Sequence, residues 1–385
     1  MKVALIHDHL AQDGGAERVL RVLSDMFPEA PIYTLLCDKK SASKIYPNRR
    51  IETSVIQRLP GGVRHYQWYL TFMPMAVEFF DLRDYDLVIS DTSSFAKGVI
   101  TQPHTPHICY CHTPTRYLWS DTHQYINELK YNKWMKKMIS MVLNRIRIWD
   151  RLAADRVDYF IANSKTVQGR IRKYYQRDSH LIYPPVEVEK FKVAAINPLQ
   201  EEKPYFLIGC RLAPYKRVDI VVEAFKQLGA DYNLKIFGDG VDLKRLKKIA
   251  GKSPNIEFVG RVSDEQKAEL YSHCLAFINP QEEDFGITAV EAMAAGRPVL
   301  AYRRGGALET IVEGKTGFFF ADQTSAAINV AVADFYKKLK SGEIVLDSAA
   351  IRNHAQEFSV TNFTNRLRGL IGELTAKYKE NNQAF

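Results

Sequence analysis

The segment Glu283-Asp284-Phe285-Gly286-Ile287-Thr288-Ala289-Val290-Glu291 sets two carboxylates eight positions apart, with a Phe-Gly between them at what reads as the start of a helix. Free backbone N–H groups and the positive dipole end at a helix N-terminus attract phosphate, and Gly286 lets the backbone approach a ligand closely. At ~1.5 Å per residue the carboxylates stand roughly 12 Å apart. They can therefore flank different parts of one long ligand without opposing a diphosphate between them. A capped helix with an exposed Glu at each end is the plain alternative. Arg211 and Lys216, in Cys210-Arg211-Leu212-Ala213-Pro214-Tyr215-Lys216, follow an apolar run and precede a helix. One is a planar fork and the other a point charge, and together they can converge on a diphosphate and stabilise it as a leaving group without a metal. His112 closes the apolar run His107–Cys111, at the edge of a sheet where an imidazole can meet a sugar hydroxyl or a developing charge, although a histidine so placed is more often structural.

Three further features carry less. Gly14-Gly15 lie between the first strand and the first helix, but Asp13-Gly14-Gly15-Ala16-Glu17-Arg18 is not G-x-G-x-x-G, which leaves a tight turn or a phosphate or sugar contact. Asp84-Tyr85-Asp86 imitates a metal-binding D-x-D, yet it precedes the strand Leu87–Ser90 and reads as turn chemistry. His7-Asp8-His9 puts two imidazoles on one face of a strand end with no third ligand in view, so no metal site is expected.

These groups need strands to carry them and helices to cover the strands. Strand, glycine loop and helix run in that order from Lys2–Asp8 through Gln12–Gly15 to Ala16–Phe27. Asp86–Ser90, His107–Cys111 and Tyr159–Ala162 are further strand-type runs. From Tyr183-Pro184-Pro185 to about Pro204, prolines and charge break the pattern, and then it restarts: Tyr205–Gly209, the helix Val218–Leu228, Leu234–Phe237, Gly238-Asp239-Gly240, Ile256–Val259, Leu275–Asn279 and Pro298–Tyr302. Alternating strands and helices over 385 residues predict α/β architecture, with two doubly wound parallel-sheet domains at 1–185 and 204–361 joined by a linker at 186–203. Ligands bind such sheets beyond the carboxyl ends of the strands.

Composition narrows the partners. Hydrophobic residues make up 46% of the chain and charged residues 25%, as in a soluble globular protein. No apolar run approaches the ~18 residues of a membrane span, no signal peptide is expected, and five scattered cysteines fit reduced thiols in a cytoplasm. A formal charge of +9 calls for an anionic partner. Between Lys130 and Arg151 seven basic residues face one acid, and Trp134, Met138, Met141, Val142, Ile148, Trp149 and Leu152 recur at helical spacing. This predicts a basic amphipathic helix, or two, suited to a membrane surface or to a scaffold with a solvated basic face.

Taken together, these residues resemble glycosyltransferase family 4, the retaining GT-B sugar transferases, over nearly the whole chain. The resemblance rests on Gly14-Gly15-Ala16-Glu17-Arg18, Ile161-Ala162-Asn163-Ser164, Gly209–Lys216, Gly238-Asp239-Gly240, Phe258-Val259-Gly260-Arg261-Val262, the glutamate pair and Glu291-Ala292-Met293-Ala294-Ala295-Gly296-Arg297-Pro298-Val299. Ile6-His7-Asp8-His9-Leu10 and Cys111–Trp119 look most like bacterial mannosyltransferases of O-antigen and exopolysaccharide assembly. The resemblance implies two Rossmann-like domains facing a cleft, acceptor binding in the first and donor binding in the second, with the terminal helix at 362–385 packing back on the first. It implies that Arg211 and Lys216 hold the donor diphosphate and that the amides of Phe285, Gly286, Ile287 and Thr288 complete its cradle. Glu291 would bind the ribose, Glu283 the transferred sugar, and Arg261 and Val262 would meet the base. His112 would sit over the donor sugar and Gly15 beside the diphosphate. Also implied are retention of configuration by front-face substitution, no cofactor and no metal, GDP-mannose as donor, and a glycan or polyprenyl-diphosphate-linked acceptor at the inner face of the cell membrane. UDP-sugar transfer, a phosphorylase, an epimerase and a non-catalytic protein binding membrane or nucleic acid are the competing readings, with nucleic acid not expected as a partner.

Overall fold

The protein is described by a computed structural model covering residues 1–382 apart from 11–13, 64, 130, 195–197 and 201. The loop expected at Gln12–Gly15 thus has Gln12 and Asp13 outside the described residues, as is Lys130. The chain divides into two compact units, 1–185 with 363–385, and 186–362.

The first unit is built on seven strands: β1 (Val3–Leu10), β2 (Ile32–Cys37), β3 (Ile51–Thr53), β4 (Leu87–Thr92), β5 (His107–Cys111), β6 (Tyr159–Ala162) and β7 (Ser179–Leu181). They pair in parallel in the order β3-β2-β1-β4-β5-β6-β7. Every residue of β2, β4 and β5 is buried, which is why these strands read as continuous runs and not as alternation. One face of the sheet is covered by Val19, Leu20 and Leu23 of the helix Gly15–Met26, together with Phe363, Leu367, Ile371 and Leu374 of the helix Val360–Asn382. The other face holds Met73, Ala76, Val77, Phe95, Leu143 and Ile146. Asp84-Tyr85-Asp86 lies in a turn whose Asp86 carboxylate accepts from the Lys2 backbone N–H at 2.7 Å.

The second unit carries β8 (Tyr205–Gly209), β9 (Asn233–Phe237), β10 (Ile256–Gly260), β11 (Phe277–Asn279), β12 (Val299–Tyr302) and β13 (Gly317–Phe320). These are parallel in the order β10-β9-β8-β11-β12-β13. Both units are therefore Rossmann-like, doubly wound parallel sheets. The chain reverses direction across each sheet between β1 and β4 and between β8 and β11, the crevices where such sheets take ligands. The stretch expected as a linker at 186–203 begins as part of the second unit: Val186, Val188 and Phe191 are buried, and the Val186 N–H donates to the Phe358 carbonyl at 2.8 Å. Prolines break the strand pattern there, but apolar side chains still find a core.

The basic amphipathic segment is a single helix, Lys133–Asp155, started by the Asn132 side chain accepting from the Met135 N–H. Its buried face is Leu143, Ile146, Asp150, Ala153 and Ala154. Asp150 is satisfied by Lys97 Nζ at 2.5 Å, Thr115 Oγ1 at 3.1 Å, Trp119 Nε1 at 2.8 Å and Tyr175 OH at 2.9 Å. Trp134, Met138, Met141, Ile148 and Leu152 face solvent, with Trp134 67% and Leu152 60% exposed. The solvated face of this helix is thus an apolar stripe with Lys133, Lys137 and Arg145 also exposed. Trp68, Phe72, Met75 and Phe79 of the same unit are exposed as well.

Candidate functional site

In the second unit the candidate residues gather at the carboxyl ends of β8 and β11. Beyond β8 the chain makes one turn at Pro214–Lys216 and enters the helix Val218–Leu228. Arg211 Nη2 donates to Tyr215 OH at 2.9 Å, and Lys216 Nζ stands 5.3 Å from the centroid of the same ring, so both cations border one side chain. Beyond β11 comes Glu283, whose carboxylate accepts from Lys216 Nζ. Burial pulls the Lys216 pKa down, but the Glu283 carboxylate and the Tyr215 hydroxyl outweigh it, and the ammonium is held above its usual range. The structure therefore brings Arg211, Lys216 and Glu283 together from segments 67 residues apart in the case of the Lys216–Glu283 pair.

The helix that follows spans Ile287–Ala294 and begins later than its sequence suggests. Gly286 at φ +94° ends an irregular stretch, so only the last part of the Glu283–Glu291 interval is helical and the 12 Å estimate does not apply. Phe285 is buried and meets the Phe358 ring edge-on at 5.5 Å, which fixes the loop. Thr288 Oγ1, Asn279 Oδ1 and Gln281 Oε1 are buried polar atoms with no hydrogen-bond partner among the described residues. Such atoms carry a desolvation cost that a polar ligand can offset. Glu291 is 2% exposed and accepts from Lys267 Nζ at 3.1 Å and Tyr271 OH at 3.2 Å. Neither glutamate is the exposed end of a surface helix, which removes the plain alternative.

Sequence reasoning missed the support of this loop. The Gly306 N–H donates to the Glu283 carbonyl at 2.8 Å, and a Cβ at Gly306 would fall 2.4 Å from Phe285 Cα. Gly305-Gly306 after β12 was a visible signal, a glycine pair at the end of a buried strand. Arg261 lies apart from the Lys216–Glu283 pair: it follows β10, is largely exposed, and its Nε donates to Asp239 Oδ2 at 3.0 Å, with Val262 next to it at the same strand end.

In the first unit Gly15 opens the helix Gly15–Met26, with Gly14 as its cap. His112 follows β5, and its N–H donates to the Thr92 carbonyl at 2.8 Å. Its Nε2 lies 2.6 Å from Asp91 Oδ1, within hydrogen-bond distance. Asp91, fully buried on β4, sits between two histidines: His7 Nδ1, which also hydrogen-bonds the Asp91 carbonyl oxygen at 3.1 Å, stands 2.9 Å from Asp91 Oδ2. His7 Nε2 is 3.9 Å from Glu17 Oε1. Burial opposes a charge on His7, but the adjacent Asp91 and Glu17 carboxylates prevail and push its pKa up to about 10. Burial likewise opposes the charge on Asp91, and the two imidazoles overcome it and hold the carboxyl below its ordinary range. Asp8 accepts from the N–H groups of Ser93 at 2.7 Å and of Phe95 and Ala96 at 2.8 Å, so it closes the turn after β4. His9 stacks on Tyr66 with ring centroids 5.7 Å apart. Among the described residues no three His, Cys, Asp or Glu side chains are placed to hold a metal ion. Asp91, one residue past the run Leu87–Ser90, was not singled out in the sequence; its signal was a carboxylate at the end of a buried strand, a cost that needs a partner.

Residues 13–190 match the model of Glycosyltransferase Family 4, and residues 189–344 match that of Glycosyl transferases group 1. Among curated relatives, alpha-1,3/1,6-mannosyltransferase ALG2 of Dictyostelium discoideum is 23% identical over 93% of this chain and 97% of its own. An uncharacterized glycosyltransferase of Methanocaldococcus jannaschii is 30% identical over 44% of this chain and 47% of its own. Among solved structures, sucrose-phosphate synthase from Thermosynechococcus elongatus superposes with a TM-score of 0.74 at 17% identity, over 98% of this chain and all of that one. Anabaena HepE in complex with UDP does so with a TM-score of 0.71 at 17% identity, over 97% of this chain and all of that one.

Proposed function

We propose that this chain, a glycosyltransferase of the GT-B fold, transfers a hexose from a nucleotide-sugar donor whose diphosphate is held in the second unit. The observation that carries the reading is the convergence of Arg211, Lys216 and Glu283 at the β8/β11 switch point, beside the loop that leads into the helix Ile287–Ala294. Two cations and the amides opening a helix supply the charge that a departing nucleoside diphosphate needs, with no metal required for that part of the work. The Glu283 carboxylate, now paired with Lys216, can take a sugar hydroxyl when the lysine turns to phosphate. Glu291 is held in place by Lys267 and Tyr271 for the ribose.

Mannose from GDP-mannose is the donor we favour, supported by relatives named as alpha-1,3/1,6-mannosyltransferases along most of the chain. A UDP-sugar donor is the second reading, supported by fold neighbours solved with UDP or UDP-glucose. Transfer with retention by front-face substitution follows from the family resemblance. The acceptor is proposed to be a glycan or polyprenyl-diphosphate-linked saccharide of a bacterial surface polysaccharide, O-antigen or exopolysaccharide. It would be met by a peripheral enzyme on the inner face of the cell membrane. Its support is the helix Lys133–Asp155, where exposed Trp134, Met138, Met141, Ile148 and Leu152 share one face with Arg145 and lie beside Lys133 and Lys137. The eighteen steps from Trp134 to Leu152 at ~1.5 Å give that stripe a length of roughly 27 Å, suited to lying in the headgroup layer of an anionic bilayer. No described helix is long and apolar enough to cross a membrane.

The test is calorimetric titration of GDP, UDP, ADP and TDP with and without EDTA, followed by hydrolysis of the matching sugar nucleotide by wild type and Arg211→Ala. Selective GDP binding and an Arg211→Ala turnover lower by on the order of 10²-fold support the reading. UDP selectivity replaces mannose with the second donor, and absence of any nucleotide binding refutes the transferase assignment at this site.

A further inference from the structure

Four titratable side chains form one line at the β1/β4 switch point of the first unit: Glu17, His7, Asp91 and His112. The sheet register dictates this order. His7 on β1 pairs with Asp91 on β4, Asp91 pairs with Tyr110 on β5, and His112 lies two residues past Tyr110. Glu17 enters from the first turn of the helix Gly15–Met26. Asp91 is fully buried, His7 and Glu17 are 3% exposed, and only the outermost group, His112, keeps a side chain 12% exposed. Buried charges at this depth persist only when paired, and here the pairing alternates in sign from Glu17 to His7 to Asp91.

An ionised carboxylate has no proton to give, so at the His112 contact the imidazole must donate. Asp91 Oδ1 takes the Nε2–H of His112, while His7 Nδ1 donates its N–H to the Asp91 backbone carbonyl and stands 2.9 Å from Oδ2 as its charge partner. A neutral His112 with its proton on Nε2 has a bare lone pair on Nδ1. We propose that Asp91, braced by His7 and Glu17, is a positioning residue that locks His112 in the Nε2–H form and presents Nδ1 to the substrate as a hydrogen-bond acceptor. The consequence is chemical. An acceptor nitrogen can take a hydroxyl proton from a sugar but cannot donate to a phosphate oxygen, so this imidazole is suited to a saccharide hydroxyl and not to a phosphate. The inference rests on the proposed transferase reading for the identity of the substrate, and on the geometry alone for the state of His112.

The surroundings agree. Among the described residues, the charged or titratable groups near the line include Asp8, whose carboxylate is taken up by the Ser93–Ala96 turn, and His9, stacked on Tyr66. Tyr110 sits edge-on to His112 with centroids 5.3 Å apart, and its hydroxyl donates to the Ile182 carbonyl at 3.0 Å, so it does not compete for either ring nitrogen. Replacing Asp91 by Asn forces a choice. The cationic His7 keeps its protons and takes the amide oxygen, and the amide N–H₂ then turns to His112 Nε2. That nitrogen must become the acceptor, and the proton moves to Nδ1.

The experiment is ¹⁵N-histidine NMR of the full chain, with His112 assigned from the signal lost in His112→Gln. A wild-type His112 in the Nε2–H form supports the proposal, and an Nδ1–H form or a mixture overturns it without any mutation of the buried carboxylate. Asp91→Asn is expected to invert the tautomer and to lower kcat by on the order of 10²-fold, leaving the donor KM within about threefold. A folded Asp91→Asn with wild-type kcat overturns the positioning role. Glu17→Gln is expected to preserve the tautomer and to lower kcat less than Asp91→Asn does; a larger loss overturns the order of the line. If the wild type turns over no sugar nucleotide, the functional reading fails while the tautomer result still stands or falls by itself.

Discussion

Gly306→Ala isolates the placement of the Glu283–Thr288 loop. Gly306 has φ −61° and ψ −20°, a conformation alanine adopts freely, so the substitution introduces no backbone strain. What it introduces is a methyl 2.4 Å from Phe285 Cα, 2.5 Å from the Phe285 carbonyl oxygen and 2.7 Å from that of Asp284. Ordinary van der Waals contact begins at 3.4 Å, so the Asp284–Phe285 backbone must retreat by about 1 Å. Phe285 is buried against Phe358, so part of that shift must be passed on toward Glu283 and the helix opening at Ile287. Misplacing a positioning group by about 1 Å costs on the order of 10²-fold in turnover, and overpacking of this kind costs about 1–3 kcal/mol in stability. Gly314→Ala is the control. Gly314 has φ +77° and nothing within 4 Å of the methyl that alanine would add, so it suffers strain alone, about 1 kcal/mol, with turnover within about twofold of wild type. Sugar-nucleotide hydrolysis and thermal melting of the three proteins separate the effects. Wild-type turnover in Gly306→Ala, or an equal loss in Gly314→Ala, would refute the claim that this loop forms the donor cradle.

Stability should peak near neutral pH and fall on both sides. His7, raised to about 10, contributes stability in full below its unfolded value near 6.5 and loses it as the pH climbs toward 10. His107 is held down to about 3 by burial and by the Arg156 cation, so its contribution is complete above about 6.5 and lost as the pH falls toward 3. Melting temperature against pH should flatten on the alkaline side in His7→Gln and on the mildly acidic side in His107→Gln; an unchanged profile in either variant rejects that assignment. On vesicles containing anionic lipid, reversing Lys133, Lys136 and Lys137 to Glu removes about 1 kcal/mol of attraction per lysine and should weaken flotation binding by on the order of 10²-fold or more. Trp134→Ser with Met138→Ser and Met141→Ser should leave binding that high salt abolishes, because only the electrostatic part survives. Wild-type binding in both triple variants would exclude this helix as the membrane surface.

The strands visible in the sequence were β1, β4, β5, β6, β8, β9, β10, β11 and β12, short apolar runs bounded by turn residues, most of them buried along nearly their whole length. β2 (Ile32–Cys37), fully buried, and β13 (Gly317–Phe320), apolar but only partly buried, were passed over, and β3 and β7 are three-residue edge strands too short to show a period. The amphipathic helix was legible as a helix but not in its orientation. Its apolar residues form two stripes, and periodicity alone cannot say which one meets the sheet. The structure assigns Leu143 and Ile146 to the core and Trp134, Met138 and Met141 to solvent.

By itself the chain determined local matters: two runs of alternating strands and helices, a helix opening near Gly286, cations after one strand and a histidine after another. Each follows from interactions among residues within a few positions of one another. The tertiary structure decided the partners. Lys216 meets Glu283, Glu291 is taken by Lys267 and Tyr271, Gly306 seats Phe285, and Asp91 is set between His7 and His112. These contacts span tens of residues because strands adjacent in a doubly wound sheet are not adjacent in the chain. The order in which those strands pair decides which side chains share a crevice, and a buried charge survives only where that pairing supplies its counterpart.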